Sequence, residues 1–375
     1  MRAAGSLAAW MPGGAGPPQS VEYMRALRPL FRRDSAAGMS LLGAVVRPAV
    51  AARMAAGQEV FDEVGAHVTG GAECAYADEG VTAEARDGRI RLYGRGVPVL
   101  NGARGSLLVA VVRSAGAPWL AVADGTGTPR TRGIGCDAVD LDGVPVRVRA
   151  PLPGADPPYV VSGALIAGGA VGGVDDALRT VLRFALSREL YGTTVARLPH
   201  ARGLLAGAYA DLLIADALAR AAVTADAPGA GAATWAATRL LTGILRDLAT
   251  LLGARFYLRE GPYAGFGAHW RALRALRAAC GDPRRCTPGA IPPAAELAAL
   301  AGHPPPLPPG VSVVSRLSHL DAEVRTPLAP DAADPLLRDL TARLESGVSL
   351  DLDPTPVDTH TPIPPDRGDD QGDMS

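Results

Sequence analysis

The sequence predicts an α+β protein with a short helical N-terminal part, a middle antiparallel β domain and a C-terminal four-helix bundle. Three observations carry this. Apolar residues recur at helical spacing near the N-terminus. A series of short β-rich runs follows, bounded by Gly, Asp and Pro at intervals close to ten residues. Beyond Ser162, two long apolar-periodic segments flank a short break, RELYGTTVARLP.

A chain of 375 residues can bury a sizeable core, and 48% apolar residues with a net charge of −1 describe a mostly globular protein. That charge gives no ground for a nucleic-acid or acidic-membrane partner. All 37 basic residues are arginine, so no lysine is present to form a Schiff base. The four cysteines, Cys74, Cys136, Cys280 and Cys286, are too scattered for a disulfide framework and complete no zinc pattern, so no metal is expected. The N-terminus shows no signal-peptide pattern, and Arg47, Pro48 and Arg53 interrupt the apolar stretch 36–56. The expectation is a cytoplasmic protein that does not enter a membrane.

Residues 1–19 are Gly/Pro-rich and read as loose. Residues 20–69 form the helical N-terminal part. Val21, Met24, Leu27, Leu30 and Phe31 define a first helix, and a second runs near 39–56 with a kink at Pro48. Residues 70–150 are the β domain, with hairpin turns expected at Asp87-Gly88 and Asp142-Gly143. Gly125-Thr126-Gly127 lies between β runs and reads as a turn, not a phosphate cradle. The bundle, 151–302, has helices near 162–190, 200–224, 234–252 and 266–279, with a flexible loop at ADAPGAGA. Residues 303–350 read as a linker plus a short helix capped by Asp334 and Pro335 and stopped by Gly347. HPPPLPPG, at 303–310, reads as a stiff linker or a ligand for a Pro-binding domain. The acidic, Pro-rich tail 351–375 reads as disordered.

The break after the first bundle helix reads Arg188-Glu-Leu-Tyr191-Gly192. It resembles the R-x-x-F-G motif of the acyl-CoA dehydrogenase family. LATLLGARFYL resembles that family's L-G-G-x-G-Y segment, with Gly253 at its first glycine. RIRLYGRGVPVLNGARGSLLVAVV and the order helices, β domain, bundle agree in register from about Val60 to Cys280. The resemblance implies FAD, an acyl-CoA or acyl-carrier thioester substrate, fatty acid metabolism, and an oligomer of homologous subunits. It implies cofactor contact at Arg188, Tyr191, Gly192 and Gly253, the arginine reaching the FAD pyrophosphate of a neighbouring subunit. A guanidinium suits that task because it pairs two phosphate oxygens at once.

The chemistry of that family needs a carboxylate to take the α proton and a flavin to accept the β hydride. Most members carry the base in a register that falls near Arg277, where no acid is closer than Asp282. Others carry it just before the first bundle helix, which corresponds to Ser162-Gly163. Pro98, Leu100 and Pro199 stand where the family has an aromatic residue, a Ser/Thr and a glutamine, and the family's T-E-P-x-x-G-S-D loop is not recognisable in TGGAECAYADEG.

Plainer readings stand beside these. Arg188 could be a cation at a helix C-terminus, Tyr191 a core aromatic, and Gly253 a helix stop. Glu260 is either a displaced base or a surface carboxylate. Asp175 and Asp176 read as a polar helix face, while Glu73 and Asp78 could line a ligand mouth. The expected function is a flavoprotein subunit that dehydrogenates acyl thioesters, as one half of a hetero-oligomer whose partner supplies the glutamate. The alternative is a catalytically silent scaffold subunit.

Overall fold

The computed structural model describes residues 21–357 apart from 103, 114–115, 126, 132–135, 154–157, 225–227, 281–291, 303–306 and 321–324. The loose N-terminus expected at 1–19, Asp282, Cys286, half of HPPPLPPG and the tail beyond 357 therefore lie outside the described residues.

Helix α1 (Val21–Arg33) buries Met24, Leu27, Arg28 and Phe31, one face at helical spacing. Asp34 caps α2 (Ser35–Leu41), its carboxylate accepting from the N–H groups of Ala36 and Ala37 at 2.8 and 3.0 Å. The chain passes through one π turn, Leu42–Val46, in which Arg47 N–H bonds to Leu42 O, and continues as α3 (Arg47–Met54). Pro48 lacks the N–H that an α-helix needs there. The structure meets this with a widened turn just ahead of it. Helix α4 spans Gln58–Thr69.

The β domain has strands β1 (Cys74–Ala77), β2 (Thr82–Arg86), β3 (Arg89–Leu100), β4 (Leu107–Val112), β5 (Trp119–Asp124), β6 (Thr128–Thr131) and β7 (Cys136–Pro151). Their order is β2-β3-β1-β4-β5-β7-β6, and an added β3–β7 pairing closes a ring through β3, β1, β4, β5 and β7. The pairings are antiparallel as expected save one, in which β1 pairs with β4 in parallel. The β2–β3 hairpin lies between them in sequence and returns the chain to the same end. Asp87-Gly88 is the expected two-residue turn, with φ of 52° and 73°. Asp142-Gly143 is not a hairpin. It is a bulge inside β7, where Tyr93 faces Asp142 and Leu92 faces Val144. Gly143 takes φ of 69° there, as a bulge residue does. Alternate residues serve two cores. Tyr76, Leu107, Val109 and Val122 meet Ala51, Val60 and Val64 of the helices, while Ala75, Leu108, Ala110 and Val139 fill the barrel.

The bundle begins with α5 (Pro158–Ser187), buried along nearly its whole length. Its glycines admit α1 closely: a Cβ on Gly168 would fall on Met24, and one on Gly172 on the carbonyl oxygen of Arg28. A backbone oxygen cannot rotate away. Gly172→Ala is therefore expected to cost about 1–3 kcal/mol of stability in urea unfolding. A loss below a few tenths would show that the two helices separate freely. By length and apolarity two helices, Ser35–Met54 and Pro158–Ser187, could cross a membrane. Here both are mostly buried against other elements of the chain.

Helices α6 (Pro199–Thr224) and α7 (Pro228–Leu252) pack on α5 in the same core. Of the flexible loop expected at 225–232, residues 225–227 lie outside the described residues and the rest is helical. Helix α7 already starts at Pro228, whose fixed φ suits a first helical turn. The fourth helix divides into α8 (Ala264–Leu273) and α9 (Leu276–Ala279), separated by a turn in which Ala275 N–H bonds to Ala272 O.

After the bundle come α10 (Ala294–Leu300), α11 (Val313–Leu317) and α12 (Pro330–Glu345). The described residues of 303–350, expected as a linker and a short helix, pack on the bundle. Leu317, Leu336 and Leu340 are buried in the bundle core. Helix α12 starts before the expected cap. Asp334 and Pro335 lie inside it, and Asp334 pairs with Arg202. The helix stops ahead of Gly347, at φ of 66°. The expected disorder from Asp351 is also corrected. Leu350 is fully buried, Asp351 pairs with Arg28 at 2.9 Å, and Asp353 pairs with Arg25 and Arg220. An acidic stretch folds here because arginines on α1 and α6 await it.

Candidate functional site

Helix α5 ends at Ser187, and the next residues form a tight hairpin, Glu189–Leu190 against Thr193–Thr194. Arg188 N–H still bonds back to Phe184 O at 2.9 Å, and Arg188 O accepts from Val195 N–H at 2.8 Å, closing the hairpin base. Tyr191 and Gly192 make the turn, both at positive φ, 54° and 74°. Gly192 tolerates this. Tyr191 does not do so freely, and a side chain held there costs on the order of 1 kcal/mol. The ring is 94% exposed, so Tyr191 is not a core aromatic. Strain is spent on projecting an aromatic ring into open surface. Leu186 and Leu190 are exposed beside it.

Gly253 ends α7 at φ of 59°, and an added Cβ would meet nothing. The backbone angle, not a close contact, calls for glycine there. The 3-10 turn Gly253–Tyr257 follows. Arg255 stacks over the Phe184 ring at 5.5 Å, and Tyr263 meets the same ring edge-on at 5.5 Å. The fold thus brings Arg188, Tyr191, Gly192 and Gly253 to one end of the bundle, where Tyr257 and Leu258 are also exposed. Glu260 lies exposed on the next bend and makes no hydrogen bond or ion pair with a described residue. Nothing aims it at a reacting atom.

The two base registers lie elsewhere: Arg277, on α9, donates its Nε to Thr242 Oγ1 at 2.8 Å, and Ser162 is on α5. Ser162 lies in the second turn of α5 and Ala279 ends α9. Both are bonded by the guanidinium of Arg47. Its Nε donates to Ser162 Oγ at 3.1 Å, its Nη2 donates to Ala279 O, and its Cζ lies 5.8 Å from the Tyr76 ring centre. Cys280 Sγ donates to Gly163 O at 3.5 Å, packing the two segments together. Arg47 thus ties the Ser162 register to the end of α9, and no carboxylate stands at either register. A guanidinium stays protonated and cannot take a proton. Sequence reading passed over Arg47 as a site residue. The signal in the sequence is a lone arginine in the apolar run LLGAVVRPAVAA.

The other acids weighed, Glu73, Asp78, Asp175 and Asp176, are engaged. Asp78 accepts from Tyr76 Oη at 2.9 Å and pairs with Arg113. Burial, then Asp78, holds the Tyr76 phenol well above its ordinary range. Glu73 accepts from Asn101 Nδ2 at 3.0 Å. The polar-face expectation fails for Asp175. It is fully buried, pairing with Arg179 at 2.7 Å and Arg32 at 2.8 Å. Asp176 accepts from or pairs with His269 Nε2 at 3.0 Å, and His269 Nδ1 lies 2.7 Å from Ser35 Oγ. That relay resembles a nucleophilic triad in composition alone, since Ser35 is 2% exposed and its oxygen is walled in at Gly173. Leu100 packs on Gly43 of the π turn, and Pro98 is exposed on β3.

Burial pushes the Cys74 and Cys280 thiols up to about 12. The thiolate is the reactive form. Neither should be alkylated by iodoacetamide at pH 8 in the native chain, and both should be in urea. Mass mapping of native adducts reads this, and fast native labelling of Cys280 would mean that the α5–α9 contact opens.

Residues 161–283 match the family model described as acyl-CoA dehydrogenase, C-terminal domain. Among solved structures, the glutaryl-coenzyme A dehydrogenase glutaryl-CoA complex is similar at a TM-score of 0.60 and 17% identity, covering 75% of this chain and 82% of that one. Butyryl-CoA dehydrogenase from Megasphaera elsdenii is similar at 0.57 and 15%, covering 70% and 79%. PigA with FAD and proline is similar at 0.58 and 16%, covering 75% and 86%. No curated protein matches the chain. The architecture is thus an acyl-CoA dehydrogenase fold, and its bundle is the C-terminal domain of that class. Within that fold, the segment 161–283 is what matches the acyl-CoA dehydrogenase C-terminal domain.

Proposed function

We propose that this chain is a flavoprotein subunit of an acyl-CoA dehydrogenase-type assembly, acting on acyl thioesters as one half of a hetero-oligomer. The observation that carries this is that neither base register, Ser162 nor Arg277, holds a carboxylate: Ser162 is bonded to Arg47 and Arg277 to Thr242. Removal of an α proton needs a carboxylate within reach of that proton. Here the two registers carry Ser162 and Arg277, and neither side chain can take a proton from carbon as a carboxylate does. The catalytic glutamate is then the partner's, and the partner is a homologous chain.

What this subunit offers is the hairpin. Arg188 and Tyr191 would help hold FAD seated on the neighbour, the guanidinium being suited to pairing with pyrophosphate oxygens. Bound FAD supplies the hydride acceptor. The chain's own barrel fits FAD poorly, with Pro98 and Leu100 at positions where the family has an aromatic residue and a Ser/Thr. The setting that goes with this reading is cytoplasmic fatty acid metabolism.

The test is acyl-CoA-dependent reduction of an artificial electron acceptor by this chain alone, by a homologous family member encoded beside it, and by the two co-expressed. Turnover is expected only in the pair, and to vanish when the partner's glutamate becomes glutamine. Turnover by this chain alone would overturn the proposal. A colourless, inactive pair would favour the silent scaffold.

A further inference from the structure

Among the described residues four arginines are buried: Arg28 at 4% exposure, Arg47 at 6%, Arg179 at 1% and Arg325 at 5%. Three of them face carboxylates. Arg28 pairs with Asp216 and Asp351, Arg179 with Asp175, and Arg325 with Asp211. Arg47 alone of the four makes no ion pair with a described residue, and its partners are a hydroxyl, a carbonyl and an aromatic face. A buried cation with only neutral partners recovers part of its hydration and no more. The fold has supplied counter-charges to the other three and withheld one here.

The geometry leaves room on the group itself. Nε and Nη2 are committed to Ser162 and Ala279, while Nη1 makes no hydrogen bond with a described residue. Nor is it among the sealed, unpartnered atoms, as Nη1 of Arg179 is. Arg47 keeps 6% of its surface open. The guanidinium sits where four pieces of the chain meet: its own α3, Tyr76 of β1, Ser162 of α5 and Ala279 of α9. Junctions of this kind are where small-molecule sites form. The surroundings, Tyr76, Gly163 and Cys280, are uncharged and largely apolar. One cation in such a setting matches one negative charge on an aliphatic body. A phosphate dianion would need further donors.

We infer that Arg47 anchors a binding site for a small aliphatic carboxylate, which completes the guanidinium's missing ion pair through Nη1. The site binds and does no proton chemistry. It belongs to this chain by itself and does not depend on the paired-subunit reading.

The probe is sodium butyrate, with butyramide as its uncharged counterpart, titrated into the full-length chain by calorimetry and by thermal unfolding at constant ionic strength. Saturable butyrate binding that raises Tm is expected, with no effect from butyramide. Arg47→Met should weaken butyrate roughly tenfold or more, the loss of one charge-assisted hydrogen bond. Arg47→Lys, which keeps the charge, should retain most of the binding. The Met variant removes an unpaired buried charge and should fold. If it does not, Arg47→Lys and the butyrate–butyramide contrast still decide. Absence of butyrate binding, equal binding of butyramide, or unchanged affinity in a folded Arg47→Met chain each overturns the inference.

Discussion

Asp216→Ala is expected to destabilise the chain by about 3–5 kcal/mol in urea unfolding, the largest effect of any single charge removal considered. Asp216 is fully buried on α6. It pairs with Arg28 of α1 and with Arg220 at 3.0 Å, and accepts the N–H of Leu352 at 2.9 Å. Its loss leaves Arg28 with Asp351 alone and unties three parts of the chain at once. Surface pairs offer the contrast. Asp124 is 64% exposed beside Arg147, and Asp124→Ala should change stability by less than about 0.5 kcal/mol. Equal effects at the two positions would mean that the buried network holds nothing together.

Arg188→Ala is expected to abolish flavin retention in the co-expressed pair while leaving the fold intact. Two roles for Arg188 make different predictions. As a cation beyond the last turn of α5 it contributes about 0.3–1 kcal/mol of stability and nothing to the flavin. As a pyrophosphate contact it offers a charge-assisted, two-pronged hydrogen bond, and its removal weakens the flavin at least tenfold. Flavin absorbance of the pair after gel filtration, read beside the Tm of this chain, separates them. Unchanged flavin with a lowered Tm would return Arg188 to a structural role.

Local signals were readable in the sequence. The apolar spacing of Met24, Leu27 and Phe31 marks α1, and the long runs after Ser162 mark α5 and α6, because helical periodicity is written within a few residues. Asp87-Gly88 is likewise a local device. Pairings distant in sequence were hidden. Asp142-Gly143 suits a turn and a bulge equally, and only the facing register on β3 decides. The parallel β1–β4 pair depends on where a hairpin returns the chain. Asp351 looks like part of a solvated tail until Arg28, far away in sequence, is placed against it. The hairpin residues were found through resemblance, and their gathering with Gly253 at one end of the bundle is what the fold adds. Arg47 was missed for the same physical reason as Asp351. Its meaning lies in Ser162 and Ala279, and neither is near it in the chain.

The central claim is that this chain serves a flavin it does not itself reduce. The most direct measurement is the visible absorbance of the purified chain, alone and co-purified with its homologous partner, before and after addition of acyl-CoA. The account predicts a colourless chain alone, and a yellow pair that bleaches when acyl-CoA is added. A chain that is yellow by itself and bleaches with acyl-CoA would contradict it.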